Sequence, residues 1–206
     1  MKKSNIILIS FIVLFLVMTI LVTNGKTLGI DNSVYHFVIS FQNDKLTYFF
    51  KFITKFANVK RIIIIVILFL IIKRNFIGIC PVIAALDVEI LNLVLKFILK
   101  RDRPNILQLI SVDNYSYPSG HAMMSMGVYG CFIYLIYKYV NNRKIKICSI
   151  ILLSLLILLI GISRIYLGVH YFSDIIGGFI VSICFLIIFD KVIKRWEIKH
   201  EKTNRE

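Results

Sequence analysis

The stretch ICSIILLSLLILLIGISRIYLGVHYFSD, residues 147–174, decides how this chain is read. Residues 147–163 carry no charged side chain, and at about 1.5 Å per residue a helix over them crosses most of a hydrocarbon core. Directly behind that run come Arg164, His170 and Asp174. Ionisable groups at the end of a membrane helix are costly there and call for a functional explanation.

Working outward, the same pattern of apolar block and short charged punctuation fills the chain. It has 206 residues, 58% of them hydrophobic, more than a soluble domain of that size hides from water. Apolar runs place spans at residues 6–22, about 53–72, 76–99, 121–139, 147–163 and 171–192. The first run, behind Lys2 and Lys3, is read as a helix and not a cleaved leader, because no small-x-small site follows it. Residues 62–72 are too short to cross alone, about 16 Å, so the second span is extended upstream to about Ile53. Between residues 31 and 58, Val34, Phe37, Val38 and Phe41, then Leu46, Phe49, Phe50 and Ile53, recur at helical spacing. They predict two amphipathic helices lying in the interface or packed on the bundle. The fold expected is all-α: one polytopic membrane bundle, residues 1–206, of six transmembrane helices plus amphipathic interfacial helices.

The formal charge of +14 does not indicate a nucleic-acid partner, because the basic residues punctuate apolar blocks and do not interleave with stacking aromatics. Membrane lipids are the partners it suits. Six spans put both termini on one side, and 14 of the 25 Lys and Arg residues fall on that side. The positive-inside bias makes it cytoplasmic, in a multi-pass cell-membrane protein, with residues 100–120 and the turn at 164–170 facing outward. Cys80, Cys131, Cys148 and Cys184 form no CxxC pair and read as small buried hydrophobes.

Those two outward turns hold the polar residues that packing does not explain. Lys96 and Arg103 lie seven apart, so a continuing helix points them one way, and Arg164 joins them if the spans bundle. Three cations in a low-dielectric site call for an anion, and phosphate fits the planar guanidinium forks. Ser119, Gly120 and His121 sit where a loop enters a helix, whose free N–H groups favour an anion again. Ser119 can cap that helix, and Gly120 admits close backbone approach. His170 and Asp174, at i and i+4, are spaced for a carboxylate to hold one ring nitrogen and leave the other nucleophilic. His121 is then free as proton donor.

Lys96-x6-Arg103-Pro104, Pro118-Ser119-Gly120-His121 and Ser163-Arg164-x5-His170-x3-Asp174 together resemble the type 2 phosphatidic acid phosphatase family, related in its active site to vanadium haloperoxidases. The resemblance implies a lipid phosphatase that works without a metal or other cofactor. By that likeness Lys96, Arg103, Ser119, Gly120 and Arg164 hold the phosphate, His170 is the nucleophile, Asp174 supports it and His121 is the acid. The length and plan resemble small bacterial members acting on phosphatidylglycerophosphate or undecaprenyl pyrophosphate, through a phosphohistidine intermediate. The competing class is a non-catalytic protein that binds or transports a lipid phosphate on the same scaffold. Glu89 and Asn92 share the predicted stripe of Lys96, so Glu89 reads first as a structural counter-charge. Asp87 faces elsewhere and has no assigned role.

Overall fold

A computed structural model describes residues 2–203, and no strand occurs among them. In chain order the elements are α1 (Lys2–Thr23), α2 (Leu28–Ile39), α3 (Asp44–Ile53), a 3-10 turn (Thr54–Ala57), α4 (Val59–Ile72) and α5 (Phe76–Leu99). After an irregular loop over residues 100–119 follow α6 (Gly120–Met124), a π turn (Ser125–Tyr129), α7 (Gly130–Tyr139), α8 (Arg143–Tyr166) and α9 (Phe172–Thr203). Asparagine starts four of these helices: the side chains of Asn43, Asn58, Asn75 and Asn142 each accept from a backbone N–H of the first turn.

The expected run at 76–99 coincides with α5, the run at 147–163 lies inside the longer α8, and all but the first residue of the run at 171–192 lies inside the longer α9. The second expected span does not form as one helix. Asn58 caps α4, so the segment upstream belongs to α3 and the 3-10 turn. The 14 residues of α4 extend about 21 Å, short of a hydrocarbon core. Among the described residues three helices are long and apolar enough to cross a membrane: Lys3–Thr23, Arg143–Tyr166 and Phe172–Arg195. The fourth expected span is a helical path broken by the π turn, and α5 carries Asp87, Glu89 and Lys96 along its 24 residues.

The bundle is held by α1 against α9, α4 against α5, α6 against α9, and α8 against both α3 and α7. Ile62 and Val66 of α4, Ala85 of α5, Val128 of the π turn and Ile160 of α8 form its central core. Outward, α1 presents Ile6, Ile9 and Leu16, and α8 presents Ile151, Leu152 and Leu158, all exposed. Such continuous apolar exteriors belong against lipid. Cys80 and Cys131 are buried as expected, whereas Cys148 on this α8 exterior is exposed.

Helices α2 and α3 match the two amphipathic segments, with Phe37, Phe41 and Tyr48 exposed and Phe50 packed on Tyr166 of α8. Asp31 departs from that pattern. It is 1% exposed, because it turns inward to the start of α9.

Candidate active site

Everything at one end of the bundle converges on the turn between α8 and α9. Gly168 makes the turn possible: its φ is +73°, and a Cβ there would stand 2.3 Å from the Leu107 carbonyl oxygen. The turn delivers His170 two residues ahead of α9, not on the helix as i, i+4 spacing suggested, yet its Nδ1 still lies 3.2 Å from Asp174 Oδ2. Ser116 completes the contact, lying 3.3 Å from the same ring nitrogen and donating its hydroxyl to Asp174 Oδ2. Tyr171 N–H donates to that oxygen as well, at 2.9 Å. With Asp174 accepting at Nδ1, the lone pair is left on Nε2. Burial pushes the imidazole down to about 3 despite the opposing pull of Asp174.

The Nε2 side faces a cavity of about 310 Å³ whose lining includes Lys96, Arg103, Gly120, His121, Arg164 and His170. Lys96 and Arg103 reach it by different routes. α5 ends at Leu99, and Lys100 turns the chain in the left-handed region at φ 43°, so Arg103 arrives on the loop and not two helical turns beyond Lys96. Arg103 donates through Nε to the Asn114 carbonyl at 2.6 Å and through Nη1 to the Val169 carbonyl at 2.5 Å. The same Nη1 lies 3.3 Å from His170 Nε2. The Lys96 amine donates to the Tyr115 carbonyl and is 3.4 Å from Asn114 Oδ1.

Arg164, on the last turn of α8, is 2% exposed. Its Nη1 donates to Thr54 Oγ1 at 2.6 Å, while its Nε is buried with no partner. A buried donor without an acceptor is costly, and an anion in the cavity supplies one. Ser119 caps α6 as predicted, accepting from Ala122 N–H at 3.5 Å. Its oxygen thereby serves the helix start, and the residue is absent from the cavity lining, unlike Gly120 and His121. The closest neighbour of Gly120 is Asn92: an added Cβ would meet Asn92 Oδ1 at 2.9 Å. The His121 imidazole has no hydrogen-bond partner among the described residues, which leaves the ring free toward the cavity. Glu89 and Asn92 line the same cavity with Lys96, so the helical stripe reading holds for these three.

A family model for the PAP2 superfamily matches residues 77–197. This chain belongs to the PAP2 superfamily. Among curated PAP2 relatives it is 36% identical over 115 residues to phosphatidylglycerophosphatase B of Bacillus subtilis, covering 54% of this chain and 57% of that protein. It is also 36% identical over 83 residues to sphingosine-1-phosphate phosphatase 1 of Rattus norvegicus, covering 40% of this chain and 19% of that one. The chain thus matches little more than half the length of the first relative and a fifth of the second. In fold it is similar to the transmembrane PAP2-type phosphatidylglycerolphosphate phosphatase from Bacillus subtilis, with TM-score 0.81 and 24% identity over 91% of this chain and 96% of that one. A second likeness is to LpxE of Aquifex aeolicus, with TM-score 0.61 and 24% identity over 75% and 92% of the two chains.

Sequence reasoning missed Arg101, Asp31, Ser116 and Thr54. Arg101 donates to Asp174 Oδ1 at 2.5 Å and to Asp31 Oδ2 at 2.9 Å. Its only sequence signal was its place two residues before Arg103; Asp31, Ser116 and Thr54 carried none.

Proposed function

We propose that this PAP2 chain is a lipid phosphate phosphatase that forms a phosphohistidine on His170, acting as one catalytic domain embedded in the cell membrane. The observation that carries the reading is the two-sidedness of His170: Nδ1 is held by Asp174, and Nε2 faces a cavity lined by three cations and a second histidine. In the first step the Nε2 lone pair attacks phosphorus, the bond from phosphorus to the lipid oxygen breaks, and His121, protonated once the negative phosphate sits among the cations, gives its proton to the departing oxygen. In the second, His121 takes a proton from water, the hydroxide oxygen attacks phosphorus, the P–N bond breaks, and inorganic phosphate leaves. Lys96, Arg103 and Arg164 hold the phosphoryl oxygens throughout, and the free N–H groups at the start of α6, behind Ser119 and Gly120, add partial positive charge.

A lipid substrate is supported by the surroundings. The cavity shares Thr54, Lys55 and Ile110 with a neighbouring one of about 370 Å³ that Tyr48 and Phe52 also line. Among lipid phosphates we favour the phosphatidylglycerophosphate type, the substrate class named for the Bacillus relative; undecaprenyl pyrophosphate is the competitor. Alanine at His170 should abolish phosphate release from phosphatidylglycerophosphate by purified protein in detergent. Full retained release sinks the mechanism, and tight binding by the parent protein without release supports a carrier in its place. A comparison of kcat/KM for the two lipids separates the substrates.

Six spans and an extracytoplasmic site are part of this reading, with the 3-10 turn and α4 together, α5 and the α6–α7 path crossing beside α1, α8 and α9. Lys73 and Arg74 in the α4–α5 turn, Lys138 at the end of α7 and Arg143, Lys144 and Lys146 at the start of α8 lie at the opposite end from His170, which the positive-inside bias makes cytoplasmic. In a chain freed of its own cysteines, an impermeant thiol reagent added to intact cells should label a cysteine placed at 107 and spare one at 142. The reverse pattern turns the site inward.

A further inference from the structure

Asp174 is held at both oxygens. Oδ2 faces His170, Ser116 and Tyr171 N–H, while Oδ1 takes the Arg101 guanidinium. Arg101 spends its other amine on Asp31, whose Oδ1 and Oδ2 in turn accept from the Ser173 N–H at 2.8 Å and the Ser173 hydroxyl at 2.7 Å. The guanidinium lies over the Tyr171 ring, 4.1 Å from its centroid. Both carboxylates are fully buried and the Arg101 side chain is 12% exposed. Neither Asp31 nor Arg101 lines the cavity that holds His121, Lys96 and Arg164. Asp31 borders a separate hollow of about 220 Å³ with His170 and Tyr171, so its link to the phosphate cavity runs through Arg101 and Asp174.

We infer that Arg101 and Asp31 are positioning residues that set how much negative charge Asp174 presents to His170, and so fix the protonation of the nucleophile. This inference rests on His170 being that nucleophile. Three charges in a buried row, carboxylate, guanidinium, carboxylate, leave one net negative charge behind the imidazole. Arg101 alone would neutralise Asp174 and drain basicity from His170. Asp31 offsets that by taking half of the guanidinium, and it anchors the row to the first turn of α9 through Ser173.

The other groups facing His170 stay fixed in the test: Ser116 and Arg103 of the loop, Arg164 of α8, Lys96 of α5, His121 of α6 and Tyr171 beside it. Asp102 neighbours Arg101 in the chain. Against that background the two substitutions push in opposite directions. Arg101→Gln leaves two buried carboxylates uncompensated, which favours the protonated imidazole. The acid limb of kcat/KM should move to higher pH by about one unit or more. Asp31→Asn keeps an acceptor for Ser173 but leaves Arg101 wholly on Asp174, so kcat should fall several-fold with KM unchanged and no upward move of the acid limb. The double variant removes one charge of each sign and should return the acid limb to its parental position.

Purified variants are compared on phosphatidylglycerophosphate across about pH 2.5 to 8, a range that brackets the His170 value near 3, with Arg101→Lys as the conservative control that keeps the charge and should keep the parental limb. The inference is overturned if Arg101→Gln loses activity equally at every pH, or if the double variant shows the limb of Arg101→Gln. Should Arg101→Gln not purify as a folded protein, Arg101→Lys and Asp31→Asn decide: a KM rise or a common loss at every pH in both overturns it. The separate His170→Ala measurement isolates the underlying mechanism, since its retained activity refutes the nucleophile whatever the limbs do.

Discussion

Replacing Arg164 by Met tests the anion-site reading through stability. Arg164 carries five side-chain N–H donors, is 2% exposed, and among the described residues its side chain makes one hydrogen bond, to Thr54, with Nε unpartnered. Among the described residues no carboxylate pairs with it. An uncompensated buried charge costs roughly 4 kcal/mol, and the lost Thr54 hydrogen bond gives back about 2 of that, so Met, similar in length and uncharged, should stabilise the ligand-free protein by about 2 kcal/mol. For a chain of this length that raises the melting midpoint by roughly 4–8 °C. The wild type should instead gain stability on adding orthovanadate or phosphate, about 2.7 kcal/mol at a hundred times Kd. Arg164→Met should lose most of that gain. Melting in detergent, followed by intrinsic fluorescence with and without anion, reads both effects. If the variant melts lower than wild type without anion and responds fully to it, Arg164 is a structural cation and the phosphate site lies elsewhere.

Three further outcomes follow from the turns and from His170. Gly168→Ala forces a Cβ to 2.3 Å from the Leu107 carbonyl, so phosphate release should drop at least tenfold even where the protein still purifies as a folded monodisperse species. Lys100→Gly relieves a left-handed residue at φ 43° and should raise stability by about 1 kcal/mol in the same melting assay. Because the His170 pKa falls from 6.5 to about 3 on folding, the unfolded chain binds a proton that the folded chain refuses as pH drops through that window. Stability should therefore decline from pH 6.5 toward 3, and His170→Gln should flatten part of that slope.

What was legible was local. His170 and Asp174 could be paired from spacing because four residues near a helix start keep two side chains within reach, even though the helix proper begins only at Phe172. Ser119 as a cap was equally local. Lys96 and Arg103 were brought together correctly for the wrong reason: the helix stops, and a left-handed Lys100 with the Asn114 and Tyr115 carbonyls does what a continuing helix was expected to do. Contacts across long separations were not readable. Thr54 meets Arg164 across 110 residues, and Asp31 meets Ser173 across 142. Each of the two early partners sits in a segment whose Phe-rich periodicity advertised an interfacial face and gave its polar residues no other role.

The placement of those missed residues explains how a membrane bundle supports three cations in one cavity. A lipid-facing exterior offers no water to solvate a misplaced charge, so each cation needs an anchor that does not consume it. The neutral acceptors do this: Tyr115 and Asn114 for Lys96, Asn114 and Val169 for Arg103, Thr54 for Arg164. Had carboxylates served, the cations would be quenched before a phosphate arrived. The carboxylates that are fully buried, Asp31 and Asp174, lie instead behind His170 with Arg101 between them, on the side away from the cavity. Positive charge faces the cavity and negative charge backs His170, and the imidazole ring is the boundary between the two.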